Sequence, residues 1–119
     1  MRNYQNLLAW QRAHRTALRV YSITSGVPRE ERFGLRAQIR SAAVSMTANI
    51  AEGAGRSTNA DFVRFLSIAS GSASELQAEL ELAGDLGYLA EEWRDTLALV
   101  HKVKRLLHAL IRETPTALS

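Results

Sequence analysis

From Gly34 to Arg56 the chain reads GLRAQIRSAAVSMTANIAEGAGR, and its apolar residues Leu35, Ile39, Ala42, Ala43, Met46 and Ile50 recur at steps of three and four. That spacing draws one apolar stripe along a helix of 3.6 residues per turn. Ala37, Ser41, Ser45, Thr47, Ala48 and Ala51 fill most of the remaining positions with little bulk, so neighbouring helices can come close to this backbone. The stretch predicts the central helix of a bundle, running from about residue 30 to 53, with Gly53 and Gly55 ending it.

The rest of the chain repeats the same period. A first helix is expected over about 4–25, capped by Asn3 and ended by Gly26, with Leu7, Trp10, Ala17, Leu18, Tyr21 and Thr24 facing inward. His14 falls between Trp10 and Ala17, where a hydrogen-bonded core histidine fits better than a metal ligand. A third helix is expected over about 59–86, opened by the capping box Thr58 to Asp61. Its core stripe is Phe62, Phe65, Leu66, Ala69, Ala73, Leu76, Leu80 and Ala83. Ile68, Leu82 and Leu86 widen its apolar surface beyond the needs of one core, which points to subunit association. A fourth helix over about 91–112 turns Trp93, Leu97, Val100, Val103, Leu107, Leu110 and Ile111 inward; Thr114-Pro115 closes it, and the tail beyond is expected to fray. With two prolines and no strand-like alternation, the class is all-α. Four such helices joined by short loops predict a single domain over 1–119, an antiparallel up-down-up-down four-helix bundle.

Charge changes this picture more than composition does. The net charge of +3 is small, but residues 1–64 hold ten Arg against four acids, and residues 75–95 hold seven acids against Arg94 alone. Residues 96–119 are basic again through Lys102, Lys104, Arg105 and Arg112. Arg29, Arg32, Arg36 and Arg40 follow at helical steps and predict a basic ridge, while Arg12, Arg15 and Arg19 form a basic edge on the first helix. Thirteen of the fifteen cations are Arg, whose planar fork suits phosphate or carboxylate. A polyanion partner and a set of ordinary solvated faces and inter-helix ion pairs explain these charges equally well.

Without cysteine the chain makes no disulfide and no thiolate metal site. No apolar run approaches the roughly 20 residues of a membrane span, and the N-terminus lacks the hydrophobic block of a signal peptide, so a cytoplasmic protein with no membrane contact is expected. No cofactor or metal is expected either: the Glu-x-x-His pairs of a di-iron bundle are absent. Glu75 and Glu79 share a helical face and read as a solvated or salt-bridged edge. GAGR follows a helix, not a strand, and reads as a cap, not a phosphate loop. Ser41 and Ser45 read as packing residues. One catalytic pattern survives: Arg94 and His101 are spaced as in the Arg-x-x-x-x-x-x-His motif of helical HEPN-type ribonucleases, where His101 would exchange a proton with a ribose hydroxyl and Arg94 stabilise phosphate charge.

Taken together, VYSIT near the end of the first helix, PREERFGLRAQIRSAAVSMTANIAEGAGR and FVRFLSIASGSASELQAELELAGDLGYL resemble the four-helix-bundle proteins encoded in 23S rRNA intervening sequences, relatives of the accessory variability protein of bacterial diversity-generating retroelements. The resemblance runs from about Leu7 to Leu110. Phe33, Gly34, Leu35, Gln38, Arg40, Ser45, Asn49, Ile50, Glu52, Gly53, Arg56, Phe65, Leu66, Gly71, Ser72, Glu75 and Leu76 occupy its motif positions. It departs at Met46-Thr47, where Ile-Pro is usual, and at Ser41, where a second Arg is common. The resemblance implies a ring-like homopentamer and, for the retroelement relatives, a basic surface that binds nucleic acid and a reverse transcriptase. The leading expectation is therefore a non-enzymatic homo-oligomer whose Arg12, Arg15, Arg19, Arg36, Arg40 and Arg56 contact RNA or DNA phosphates without reading bases. The alternatives are an adaptor oligomer for a protein partner such as a reverse transcriptase and, after it, the ribonuclease.

Overall fold

Four α-helices carry the chain: α1 Leu8–Ile23, α2 Leu35–Ala54, α3 Asn59–Asp85 and α4 Trp93–Glu113, with single 3-10 turns at Tyr4–Asn6 and Arg29–Glu31. The structure, a computed structural model, describes residues 2–116; the tail expected to fray lies partly outside them, at 117–119. There is no strand among the described residues, and none of their helices is long and apolar enough to cross a membrane.

Local signals set most of the helix ends. The Thr58 hydroxyl accepts from the Asp61 amide (3.1 Å), so the capping box opens α3 where the sequence predicts. Gly87, at φ +77°, ends the same helix. Its amide donates to the Gly84 carbonyl and the Tyr88 amide to the Ala83 carbonyl (both 3.0 Å), the paired bonds of a Schellman cap.

Two helix starts lie four or five residues later than expected. The first helix begins at Leu8, not Tyr4: Asn3 does cap, accepting from the Gln5 amide, but what it caps is the 3-10 turn, and Leu7 is extended. The second begins at Leu35. Arg29 therefore sits in a separate turn and Arg32 ends it, so the four-arginine ridge is broken ahead of Arg36.

The helices pack in a cycle, α2 most extensively on α3, then α3 on α4, and α1 on both α2 and α4. Phe62, Leu66, Leu76 and Leu80 of α3 meet Ile39, Met46 and Ile50 of α2, Val20 and Ile23 of α1, and Val100, Val103 and Leu107 of α4, all fully buried. Every residue of the expected α3 stripe is buried.

The α1 stripe is corrected in part: Thr24 is buried and Leu7, Trp10 and Ala17 pack against the core as expected. Ala9, Ala13, Thr16, Val20 and Ile23 face inward, while Leu18 is 61% exposed and Tyr21 is exposed as well. Ala9 and Ala13 are buried, and Leu18 stands on the opposite side of the helix. Close approach explains two glycines. A Cβ on Gly53 would stand 2.8 Å from the Phe65 Cβ, and one on Gly84 would stand 2.5 Å from the Trp93 ring.

Candidate nucleic-acid interface

The seam between α1 and α4 brings together cations from opposite ends of the chain. Arg12 of α1 and Lys102 and Arg105 of α4 line a shallow groove of about 330 Å³ whose remaining lining is Leu8 and Leu106. All three cations lie on exposed positions. The ion pairs among the described residues, Arg56 with Glu52 (2.9 Å) and Arg64 with Asp61 (3.3 Å), lie elsewhere. Three like charges around an apolar floor repel one another, and an anion seated among them relieves that repulsion. Arg15 and Arg19 continue along the exposed side of α1.

The other predicted arginines are occupied differently. Arg40 Nε donates to Thr24 Oγ1 (2.9 Å) and Nη2 to the Tyr21 carbonyl (3.1 Å), and its guanidinium lies 4.5 Å from the Tyr21 ring centroid. Tyr21 is in the last turn of α1, where carbonyls lack helical partners and a cation suits the dipole. Arg40 thus ties α1 to α2. Arg56 pairs with Glu52 and covers the Phe65 ring at 4.6 Å. Arg36 is half-buried in the first turn of α2. Of the six predicted residues, Arg12, Arg15 and Arg19 share the α1 side, and Arg40 and Arg56 make contacts within the protomer.

Sequence reading missed Lys102 and Arg105 as site residues. Their signal was the return of positive charge after residue 96; what placed them beside Arg12 was helix packing.

Arg94 is exposed and lies over Trp93 (4.5 Å), with His101 half-buried two turns along α4. Trp10 stacks on His14 at 4.8 Å and meets Tyr4 edge-on, so His14 belongs to an exposed aromatic cluster and not to the core. Ser45 and Ser72 hydroxyls bond across α2 and α3 (2.8 Å), and Asn49 donates to the Ser45 carbonyl and hydroxyl, which makes Ser45 a packing residue as expected. No group of three His, Asp or Glu among the described residues could hold a metal.

Glu79 departs from the expected solvated or salt-bridged edge. Its Oε1 is enclosed and receives no hydrogen bond, and no ion pair reaches Glu75 or Glu79 among the described residues. Burial first, then the charge and hydrogen-bonding of the Glu75 carboxyl, push its pKa up to about 7.

A small bundle of four helices with a basic seam that no carboxylate pairs among the described residues defines a class of protein, not an activity, and comparison with known proteins gives it a family. The family model of the 23S rRNA-intervening sequence protein matches residues 5–109, and the chain belongs to that family. It is similar to a protein of unknown function from the S23 ribosomal protein family of Bacteroides thetaiotaomicron, whose crystal structure superposes with a TM-score of 0.79 at 25% identity over 88% of this chain and 96% of that one. No curated protein matches the chain.

Proposed function

We propose that this protein is a non-enzymatic homo-oligomer that binds RNA or DNA through phosphates, without sequence preference, at the α1–α4 seam. The observation that carries this reading is the groove of Arg12, Lys102 and Arg105, three exposed cations with no carboxylate paired to them among the described residues. Arg19 extends the contact along α1. Each cation that neutralises a phosphate releases condensed counterions, which sets both the affinity and its loss with salt. Within this reading the helices alternate up and down, and the subunits close into a ring, a pentamer by family resemblance, working in the cytoplasm.

The test is a titration of the purified protein into labelled structured RNA and duplex DNA at several salt concentrations. Binding should weaken steeply with salt. Arg12→Ala/Lys102→Ala/Arg105→Ala should flatten the duplex log–log salt slope by up to roughly 3, at about 0.9 per lost phosphate contact. Equal affinity and slope in the triple variant would remove the groove from the reading, and absence of binding at low salt would remove the nucleic acid.

A second reading, an adaptor oligomer for a protein such as a reverse transcriptase, draws support from Arg40 and Arg56, both committed to contacts within the protomer. Salt-insensitive assembly without nucleic-acid binding would favour it.

A further inference from the structure

The outward side of α3 differs from the rest of the surface. Ile68, Glu75, Glu79, Leu82 and Leu86 fall within about 60° of one another around the helix, at 100° per residue. Leu82 is 54% and Leu86 50% exposed, and Ile68 is exposed too. An apolar stripe holding two carboxylates is an unusual thing to leave in water, and no ion pair reaches these carboxylates among the described residues. On α2, Arg40 is turned to Thr24 and Tyr21; on α4, Lys104 Nζ donates to Gln77 (3.1 Å). Glu75 is the titratable neighbour that acts on Glu79. Glu75 is exposed beside Glu79, whose Oε1 is enclosed by the protomer itself and leaves only the other carboxylate oxygen to face outward.

The complement lies on α1. Arg15, Leu18 and Tyr21 follow at three-residue steps on one exposed ridge, apolar like the α3 stripe but cationic, and no ion pair engages Arg15 among the described residues. A polyanion would be repelled from the α3 stripe. A second copy of this chain presents both what the stripe lacks and the apolar area to cover it.

We propose that the α3 stripe of one protomer docks on the α1 ridge of another, with Arg15 of the second copy donating to the outward carboxylate oxygens of Glu75 and Glu79 of the first. The inference rests on the homo-oligomeric reading above and names its surfaces. Because two different patches meet, the contact is head-to-tail, so repetition closes a ring where the rotation permits. It also assigns Arg15, which shares a side of α1 with Arg12 and Arg19, to the subunit contact and not to phosphate.

Charge reversal tests the pairing, with mass followed by light scattering over a dilution series in the absence of nucleic acid, and folding checked by circular dichroism. Arg15→Glu and Glu79→Arg should each shift the concentration for half-assembly upward by about tenfold or more, the scale for removing one partner of an enclosed charge pair. The doubly reversed chain, Arg15→Glu/Glu79→Arg, should recover assembly, because each copy then presents the complementary pair in opposite sense. Assembly that ignores both single reversals, or a double variant no better than either single one, would overturn the proposed contact while leaving the oligomer intact. A wild-type chain that stays monomeric at every concentration would overturn the homo-oligomeric reading and this contact with it. A Leu82→Ser chain, altered at an exposed position that the protomer core does not use, should weaken assembly without lowering helicity; unchanged assembly there also counts against the stripe.

Discussion

Replacing Gly53 by alanine sets two opposed effects against each other at one atom. In a helix interior alanine is favoured over glycine by up to about 1 kcal/mol, less here because Gly53 is the next-to-last residue of α2. Against that, the new methyl would lie 2.8 Å from the Phe65 Cβ and 3.3 Å from both the Phe62 ring and the Phe62 carbonyl oxygen. A ring can rotate away, but a Cβ and a carbonyl move only with their helix, and α2–α3 is the most extensive contact in the bundle. Overpacking of this kind costs about 1–3 kcal/mol, so the expected net loss is about 1–2 kcal/mol. With an unfolding entropy of about 2.1 cal/mol/K per residue over 119 residues, that lowers Tm by about 4–8 °C. Thermal unfolding by far-UV circular dichroism, at one protein concentration for both chains, reads it directly. Gly71→Ala supplies the contrast: it lies mid-helix in α3, a Cβ there meets nothing within 4 Å of the protomer, and the expected change is a gain of up to about 1 kcal/mol. An unchanged or raised Tm for Gly53→Ala would refute the close-packing argument for α2 and α3.

Four further outcomes are expected. Arg40→Ala, which strips charged donors from the Tyr21 carbonyl and Thr24 hydroxyl, should cost about 1 kcal/mol in urea unfolding, and no loss would mean that this tie between α1 and α2 is idle. In the dilute protomer the Glu79 carboxyl titrates near 7 against an ordinary 4.5, so the folded chain holds that proton more tightly than the unfolded one. The stabilisation is complete below the ordinary value and is lost as pH rises through 7; Glu79→Gln should flatten this fall in Tm, and an equal fall in both chains would contradict the assignment. The groove triple variant should lose salt-dependent nucleic-acid affinity, and the reversed pair Arg15→Glu/Glu79→Arg should assemble where each single reversal does not.

Much of this protein follows from sequence alone, because the responsible forces act within a few residues. Thr58 and Asp61 open α3 by a bond across three positions, Gly87 closes it by a backbone conformation that favours glycine, and the 3.6-residue recurrence of Phe62 to Ala83 marks a buried face wherever its partners lie. The all-helical class is legible for the same reason. Tertiary packing decided the rest. Which side of α1 faces inward was settled by its packing on α2 and α4, where small Ala9 and Ala13 are buried, and the size of Leu18 misled a reading made one helix at a time. Whether an arginine is free depended on what its neighbours offered: Arg40 found the carbonyl end of α1, whereas Arg12 found Lys102 and Arg105 from the far end of the chain and no carboxylate among the described residues. Glu79 is set apart from other surface acids by enclosure, a property of three-dimensional neighbours that spacing along one helix does not encode.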